Sequence, residues 1–411
     1  MPKINTDVEA FARIKIIGVG GAGKNATNYM IKSKVQGVEF IAVNTDAQDL
    51  HHSLAKKKIH IGKNLTNGLG AGMNPDIGKR AAEETTEEIQ DILKGANMVF
   101  ITAGFGGGTG TGAAPVIAKA AKDLGVLTVA VVTKPFMFEG AKRTDIAEDG
   151  LARLKESVDA LIVIPNDRIL SVAPEGTTMD NAFAMSDRIL KEAVEGISDL
   201  ITVPGRINVD FADILTIMGN AGSALMGIGK ATGENRAAEA AQQAINSPLL
   251  DISIAGAKGV LLSVAGGDDL TINEIQEAAK IITESISPDA KVIFGTSKTD
   301  KLKKNEIKIT VIATGFKDSA SGGGNLFQRT PKKEEPREEK GGFFGNTSPK
   351  KEEVKKSEQP KEAKKPDQPK PTAKQTIKPT AKSKILENVP DDDDDDTWDA
   401  IPSFLRRSKL K

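Results

Sequence analysis

Two glycine-rich stretches hold the residues best suited to chemistry. The first, IKIIGVGGAGKNATNYM, runs from Ile14 to Met30. Gly18, Gly20 and Gly23 fit G-x-G-x-x-G. Gly18, Gly23 and Lys24 also fit G-x-x-x-x-G-K, but Asn25 stands where that loop needs Ser or Thr for Mg²⁺. Backbone N–H groups at a helix start carry positive partial charge and cradle phosphate. Taken alone, the stretch also reads as a tight strand-to-helix turn that needs glycine for steric reasons. A dinucleotide fingerprint wants an acidic ribose anchor about 20 residues on, and Asp46 of AVNTDAQ fits that place only when the spacing is stretched.

The second stretch, AGFGGGTGTGAAP, spans Ala103 to Pro115. Six of the ten residues from Gly104 to Ala113 are glycine and two more are threonine. A plain turn uses one or two glycines. Threonine hydroxyls among bare amides, at the start of a helix, add donors for an anion. Two such loops at the carboxyl ends of strands in one sheet imply a ligand with several phosphates. Other candidates have ordinary readings beside them. Glu139 and Arg143 in FEGAKR form an i, i+4 acid–base pair of the kind found on solvated helices. Asp210 and Asp213, with Asn208 just before, read as a helix start with its cap and first-turn acid.

The elements that must carry these loops are legible as apolar runs: RIKIIGV (13–19), VEFIAVN (38–44), ANMVFITAG (96–104), VLTVAVVT (126–133) and ALIVIPN (160–166). They are continuous rather than alternating, as in parallel strands covered on both faces. Helical segments fall between them. One is expected over NPDIGKRAAEETTEEIQDILKG, with Asn74 as cap, Pro75 in the first turn and Gly95 as stop. The repeated β-α-β order predicts an α/β, doubly wound, mostly parallel sheet. A long helix is expected over 179–200. Beyond it, strands at SALMGIGKA, GVLLSVAGG, KVIFGTS and EIKITVIATG, with helices near 234–246 and 272–285, predict a smaller α+β domain.

From residue 318 the composition changes. Residues 318–390 hold nine of the 19 prolines and 17 Lys/Arg against 11 Asp/Glu, with few apolar side chains to offset the entropy of ordering. A disordered linker is expected there. It ends at Asp391–Asp396, followed by TWDAIPSFLRRSKLK. Trp398, Ile401, Phe404 and Leu405 suit a short peptide that orders on a partner. Cysteine is absent, which rules out disulfides and thiolate sites. The three histidines, His51, His52 and His60, leave no basis for a histidine zinc centre or a Ser-His-Asp triad. No apolar run reaches membrane-spanning length, and MPKINTDVEAFAR has no apolar core of a signal peptide. The near-neutral folded part gives no electrostatic reason to bind nucleic acid.

GGGTGTG (106–112), GVGGAG (18–23), GLGAGMNP (68–75), NVDFAD (208–213) and DAIPSFLRR (399–407) together resemble, in order, the signatures of the tubulin/FtsZ family. The likeness covers 13–317 and the extreme C-terminus, and is strongest to the family's bacterial cell-division GTPases. It implies a flexible N-terminal segment (1–12), a GTP-binding domain (13–178), a linking core helix (179–204) and a C-terminal α+β domain (205–317). A linker (318–390) and a partner-binding peptide (391–411) follow. It implies GTP as substrate and GDP as product, with Mg²⁺ held mainly by the phosphates.

By the same resemblance, Gly21, Ala22, Gly23, Lys24 and Asn25 lie under the α/β-phosphates, with Gly20 beside them in the nucleotide site, although the family more often has Asn at the Lys24 position. Gly108, Thr109 and Gly110 form the main cradle, Gly106, Gly107, Thr111 and Gly112 of the same loop belong to the nucleotide site, and Gly70, Ala71 and Gly72 sense the γ-phosphate. Asp46 belongs to the same site. Glu139 and Arg143 contact ribose and phosphate, and Asn166, Phe183 and Asp187 read the base. A carboxylate at Asp187 accepts from guanine N1–H and the exocyclic amine, whereas adenine would present a lone pair. Asn208, Asp210 and Asp213 are implied to act on a neighbour's nucleotide, since two acids beside their own triphosphate would repel it.

The implied partners are further copies of the chain, stacked head to tail, and membrane-tethering and regulatory division proteins that bind residues 397–411. Membrane insertion is not implied. The implied location is cytoplasmic, at mid-cell on the inner face of the membrane. Two rivals remain. A nicotinamide-dependent dehydrogenase leaves the second glycine loop unused. A non-hydrolysing nucleotide-bound scaffold leaves Asn208, Asp210 and Asp213 unused.

Overall fold

A computed structural model of the chain describes residues 12–316, apart from 204, 249, 251–253, 300, 301 and 304. The expected N-terminal segment as far as residue 11, the linker and the terminal peptide lie outside the described residues.

The apolar runs of the first half form β1 (Ile14–Val19), β2 (Val38–Asn44), β4 (Met98–Gly104), β5 (Leu127–Lys134) and β6 (Ala160–Pro165). A short strand that the sequence reading lacked, β3 (Lys57–His60), adds the outer edge. These six strands are parallel in the order β3-β2-β1-β4-β5-β6. Side chains alternate across β1. Ile14 and Ile16 enter one core layer while Ile17 and Val19 enter the other, so both faces are apolar and the run is unbroken.

On one face pack α4 (Pro75–Glu84), α5 (Thr86–Leu93), α6 (Thr109–Asp123) and α7 (Ala141–Ser157). On the other lie α1 (Gly20–Lys32), the long α9 (Met179–Thr202) and α10 (Phe211–Met218). Three short helices, α2 (Ala47–His51), α3 (Lys63–Thr66) and α8 (Asn166–Ser171), sit in connections.

The single helix expected from Pro75 to the Gly95 stop is instead two, broken at Thr85 (φ −111°, ψ 21°). Thr85 and Thr86 are adjacent β-branched residues whose hydroxyls donate to Ala81 O (3.2 Å) and to Ala82 O (3.3 Å) and Glu83 O (2.8 Å). Such back-bonding competes with the helical ladder, and the Gly62 N–H donates to Thr85 Oγ1 as well.

The second half contributes β7 (Gly222–Thr232), α11 (Arg236–Ile245), β8 (Gly259–Gly266), α12 (Ile272–Glu284), β9 (Lys291–Lys298) and β10 (Glu306–Thr314). β7 pairs briefly with β6 and then antiparallel with β10, which continues the sheet to β8 and β9. α9 is tied to this half by two buried acids. Glu192 pairs with Lys230 of β7, and Glu195 with Lys308 of β10. Burial pushes the Glu192 carboxyl up, but Lys230 and Arg188 outweigh it and hold it below the usual range.

Candidate functional site

Strand order reverses between β1 and β4, and both glycine loops leave the sheet there, at the carboxyl ends of those strands. A crevice opens at such a reversal. Neither of the two helices that start in it has a side-chain cap. α2, α4, α9, α10 and α12 each have a side chain accepting from a first-turn N–H. Like α3 and α7, α1, which follows Val19, and α6, which follows Gly108, have no side-chain cap and no acid in the first turn. Their orphan donors face one cavity and would be satisfied by an anion.

The loops touch. A Cβ on Gly20, whose φ is +72°, would lie 3.1 Å from Gly110 N, and one on Gly108 would lie 2.8 Å from the Ala71 side chain. Glycine is needed where backbones approach this closely. Thr45 and Thr109 hydroxyls share a hydrogen bond of 2.7 Å beneath the loops.

The cavity measures about 570 Å³. Of the expected contacts it is lined by Gly20, Gly21, Ala22, Asn25, Asp46, Gly70, Ala71, Gly72, Gly107, Gly108, Thr109, Gly110, Glu139, Arg143, Asn166, Phe183 and Asp187. Five others expected at the phosphates stand behind the lining. A Cβ on Gly23 would meet Thr102 O at 2.4 Å, and one on Gly112 would meet Pro75 O at 2.0 Å, so both are packing glycines. Gly106 takes φ +97° against Arg143 O, and its N–H donates to Thr111 Oγ1 at 3.0 Å, which holds the second loop's shape. Lys24 turns its ammonium to Asp49 rather than into the opening.

The far end of the cavity is built by α8 and α9. Phe183 is 40% exposed and is held edge-on by the buried Phe136, with ring centroids 5.2 Å apart. Asn166 is 5% exposed, and its Oδ1 accepts from Ser186 Oγ at 2.8 Å. Asp187 lies beside them, and burial lifts its carboxyl from the ordinary 3.8 to about 7. An aromatic face, an amide and a poorly solvated acid suit a flat, hydrogen-bonding base. Between base end and glycine loops, Glu139 pairs with Arg143 and accepts from Phe136 N at 3.0 Å.

The sequence reading missed Asn44, Asp49, Phe105, Thr133, Pro135 and Ser186 in the lining. Asn44, Phe105, Thr133 and Pro135 all lie at or just beyond the carboxyl ends of strands, so the reversal rule applied to every strand end would have found them.

Asn208, Asp210 and Asp213 do not line this cavity. Within their own chain they do what a helix start does. Asp210 caps α10 by accepting from Ala212 N at 2.8 Å, Asp213 accepts from Asp210 N at 3.2 Å, and Asn208 Oδ1 accepts from Gly205 N at 2.7 Å. All three are exposed. α9 explains the separation. Ser186 near its start bonds Asn166 at the carboxyl edge of the sheet, and Thr202 at its end abuts Gly37 at the amino edge. Its 24 residues span about 36 Å, which carries the chain from the cavity to the opposite edge before residue 208.

Residues 13–174 match the model of the tubulin/FtsZ GTPase domain, and residues 222–317 match that of the FtsZ family C-terminal domain. Among solved structures, an empty FtsZ dimer from M. jannaschii is 46% identical, with a TM-score of 0.71 over 74% of this chain and 88% of that one. A point mutant of the same FtsZ gives 46% identity and a TM-score of 0.72, over 74% and 92%. CetZ2 from Haloferax volcanii, solved as a GTPγS-bound protofilament, shares the fold at 22% identity and a TM-score of 0.64, over 74% and 93%. With two family models in register and these FtsZ neighbours at close to half identity, the chain belongs to the tubulin/FtsZ family of GTPases.

Proposed function

We propose that the chain polymerises head to tail into filaments of the bacterial division ring, and that each hydrolytic site is completed by the next subunit. In this reading α1 and α6 bind the phosphates through backbone N–H groups, with Gly70–Gly72 closing on the γ-phosphate. Glu139 and Arg143 hold the ribose and phosphate, Phe183 stacks on guanine, and Asp187 with Asn166 reads its edge. Asn208, Asp210 and Asp213 of the adjoining copy orient and polarise the attacking water. Mg²⁺, when bound, neutralises charge on the phosphates. In this reading the phosphates are its main ligands.

The observation that carries the reading is the separation along α9. The cavity has uncapped helix starts but none of the three hydrolytic candidates, and those candidates are exposed at the other edge. A donor face at one end and an acceptor pocket at the other make a heterologous contact, which generates open filaments. The empty FtsZ dimer and the CetZ2 protofilament are assemblies of relatives, which supports the same habit here.

Residues 397–411 would then dock membrane-tethering and regulatory division proteins and bring the filament to the inner face of the membrane at mid-cell. Among the described residues no helix is long and apolar enough to cross a membrane.

Sedimentation with GTP, with phosphate release followed in parallel over a series of protein concentrations, tests the central claim. Turnover per subunit is expected to be near zero below a threshold and to rise above it together with pelleted protein. Turnover that is independent of concentration would overturn completion by a neighbour.

A further inference from the structure

Two side-chain acids, Asp46 and Asp49, line the phosphate end of the cavity. Negative charge beside an anion-binding loop opposes its function. Asp46 is partly accounted for, since it caps α2 by accepting from Asp49 N at 2.9 Å. The Asp49 carboxylate instead lies over the first turn of α1. A Cβ on Gly21 would be 3.6 Å from its Oδ2. That oxygen accepts from Asn44 Nδ2 at 2.8 Å, and Oδ1 is paired with the Lys24 ammonium. Lys24 is the better buried partner, with its side chain 9% exposed against 31% for Asp49. The ammonium therefore sits in the wall behind the acid.

We propose that Lys24 is a positioning residue of the phosphate site: it holds the Asp49 carboxylate against Asn44 and cancels its charge, so that the start of α1 can accept a polyphosphate. The inference rests on the cavity binding a guanine nucleotide. Lys24 and Asp49 act as a pair of no net charge, and neither is required to touch the ligand. Without the lysine, a carboxylate would face the phosphates from across Gly21. Without both, the loop would present only its N–H groups. A lysine that bound phosphate directly would have to release Asp49 to do so, and would expose the very charge it now covers.

Calorimetric titration of the full chain with GDP and with guanosine, both in Mg²⁺ buffer, separates these cases. Lys24→Met keeps the length of the side chain and removes the ammonium, and is expected to weaken GDP binding by about tenfold or more through the uncovered charge. Guanosine, which has no phosphate, is expected to change by less than about twofold. Asp49→Asn alone is expected to bind GDP as tightly as the parent or more tightly. The double variant is expected to return to within about threefold of the parent, since the two charges are removed together.

The proposal is overturned if Lys24→Met binds GDP like the parent, if it loses GDP and guanosine equally, or if the double variant stays as weak as the single. A loss of GDP affinity in Asp49→Asn also overturns it, and does not depend on how Lys24→Met folds. A parent chain that binds neither ligand removes the nucleotide reading itself, a result distinct from all of these.

Discussion

At the scale of the residue, the proposed choice of guanine rests on Asp187. Its carboxyl is lifted to about 7 by burial, with no cation assigned to draw it back. The folded, ligand-free protein therefore favours the protonated form. The stabilisation this brings is complete below the unfolded value near 3.8 and is lost as pH rises through about 7. Guanine needs the opposite state, because both of its edge groups donate. GTP affinity is therefore expected to fall as pH drops below about 7, by roughly tenfold per unit in the limit. Asp187→Asn should flatten that dependence, weaken GTP binding at pH 8 and remove the alkaline loss of ligand-free stability. Binding titrations and thermal melts at pH 6, 7 and 8 test this. A parent affinity that does not change over that range would count against Asp187 as the base reader. Nothing in the sequence distinguishes Asp187 from a wet helical acid, because its perturbation comes from burial that only the folded chain creates. Lys24 fails in the other direction. The G-x-x-x-x-G-K spacing points its charge at phosphate, and only the position of Asp49, 25 residues on, shows where the ammonium goes.

At the scale of the element, Arg236 fixes how α11 meets α12. It is buried, and its guanidinium donates to Glu274 at 2.6 and 3.2 Å, to Asp269 Oδ2 at 2.6 Å and to Asp269 O at 3.1 Å. The Arg236 hydrogen bonds hold the Glu274 carboxyl at about 2, well below its ordinary 4.5. This stabilisation is present above the ordinary value and is lost as pH falls towards 2. Arg236→Met should cost about 2–4 kcal/mol in denaturant unfolding at pH 7, because it leaves Glu274 poorly solvated and unpaired. The cost should shrink near pH 3; an equal cost at both pH values would mean that packing, not charge, is lost. Elements with long apolar runs or clear caps were readable from the sequence. The five inner parallel strands and α9 stand where the hydrophobic pattern puts them. β3 was not readable, since Lys57–His60 has one buried apolar residue and gains its strand geometry only by pairing with β2. The break at Thr85 was missed because the apolar period continues through it, while the cause is side-chain competition for backbone carbonyls.

At the scale of the whole molecule, α9 makes each subunit two-ended, and this has a consequence that no single-chain enzyme shares. If Asp210 serves a neighbour's pocket, a chain with a sound pocket and a damaged acid face can be rescued by one with the opposite defects. Asp210→Ala should bind GTP like the parent, because its side chain lies outside the cavity, yet release little phosphate alone. Its loss also removes the cap of α10, worth about 1 kcal/mol, so folding must be checked by melting before activity is compared. Asp187→Ala should fail for lack of nucleotide. Mixed, the two create contacts in which the intact pocket of one meets the intact Asp210 and Asp213 of the other. Random stacking at equal concentrations makes about a quarter of all contacts of this kind. Phosphate release from the mixture should therefore exceed the sum of the separate rates, rise with total concentration and vanish on dilution. An acid acting on its own chain's nucleotide allows no such gain at any ratio, because every chain in the mixture would lack either the pocket or the acid. A mixture no faster than its components, with both variants folded and Asp210→Ala still binding GTP, would return Asp210 and Asp213 to the role they visibly fill within one chain, the cap of α10.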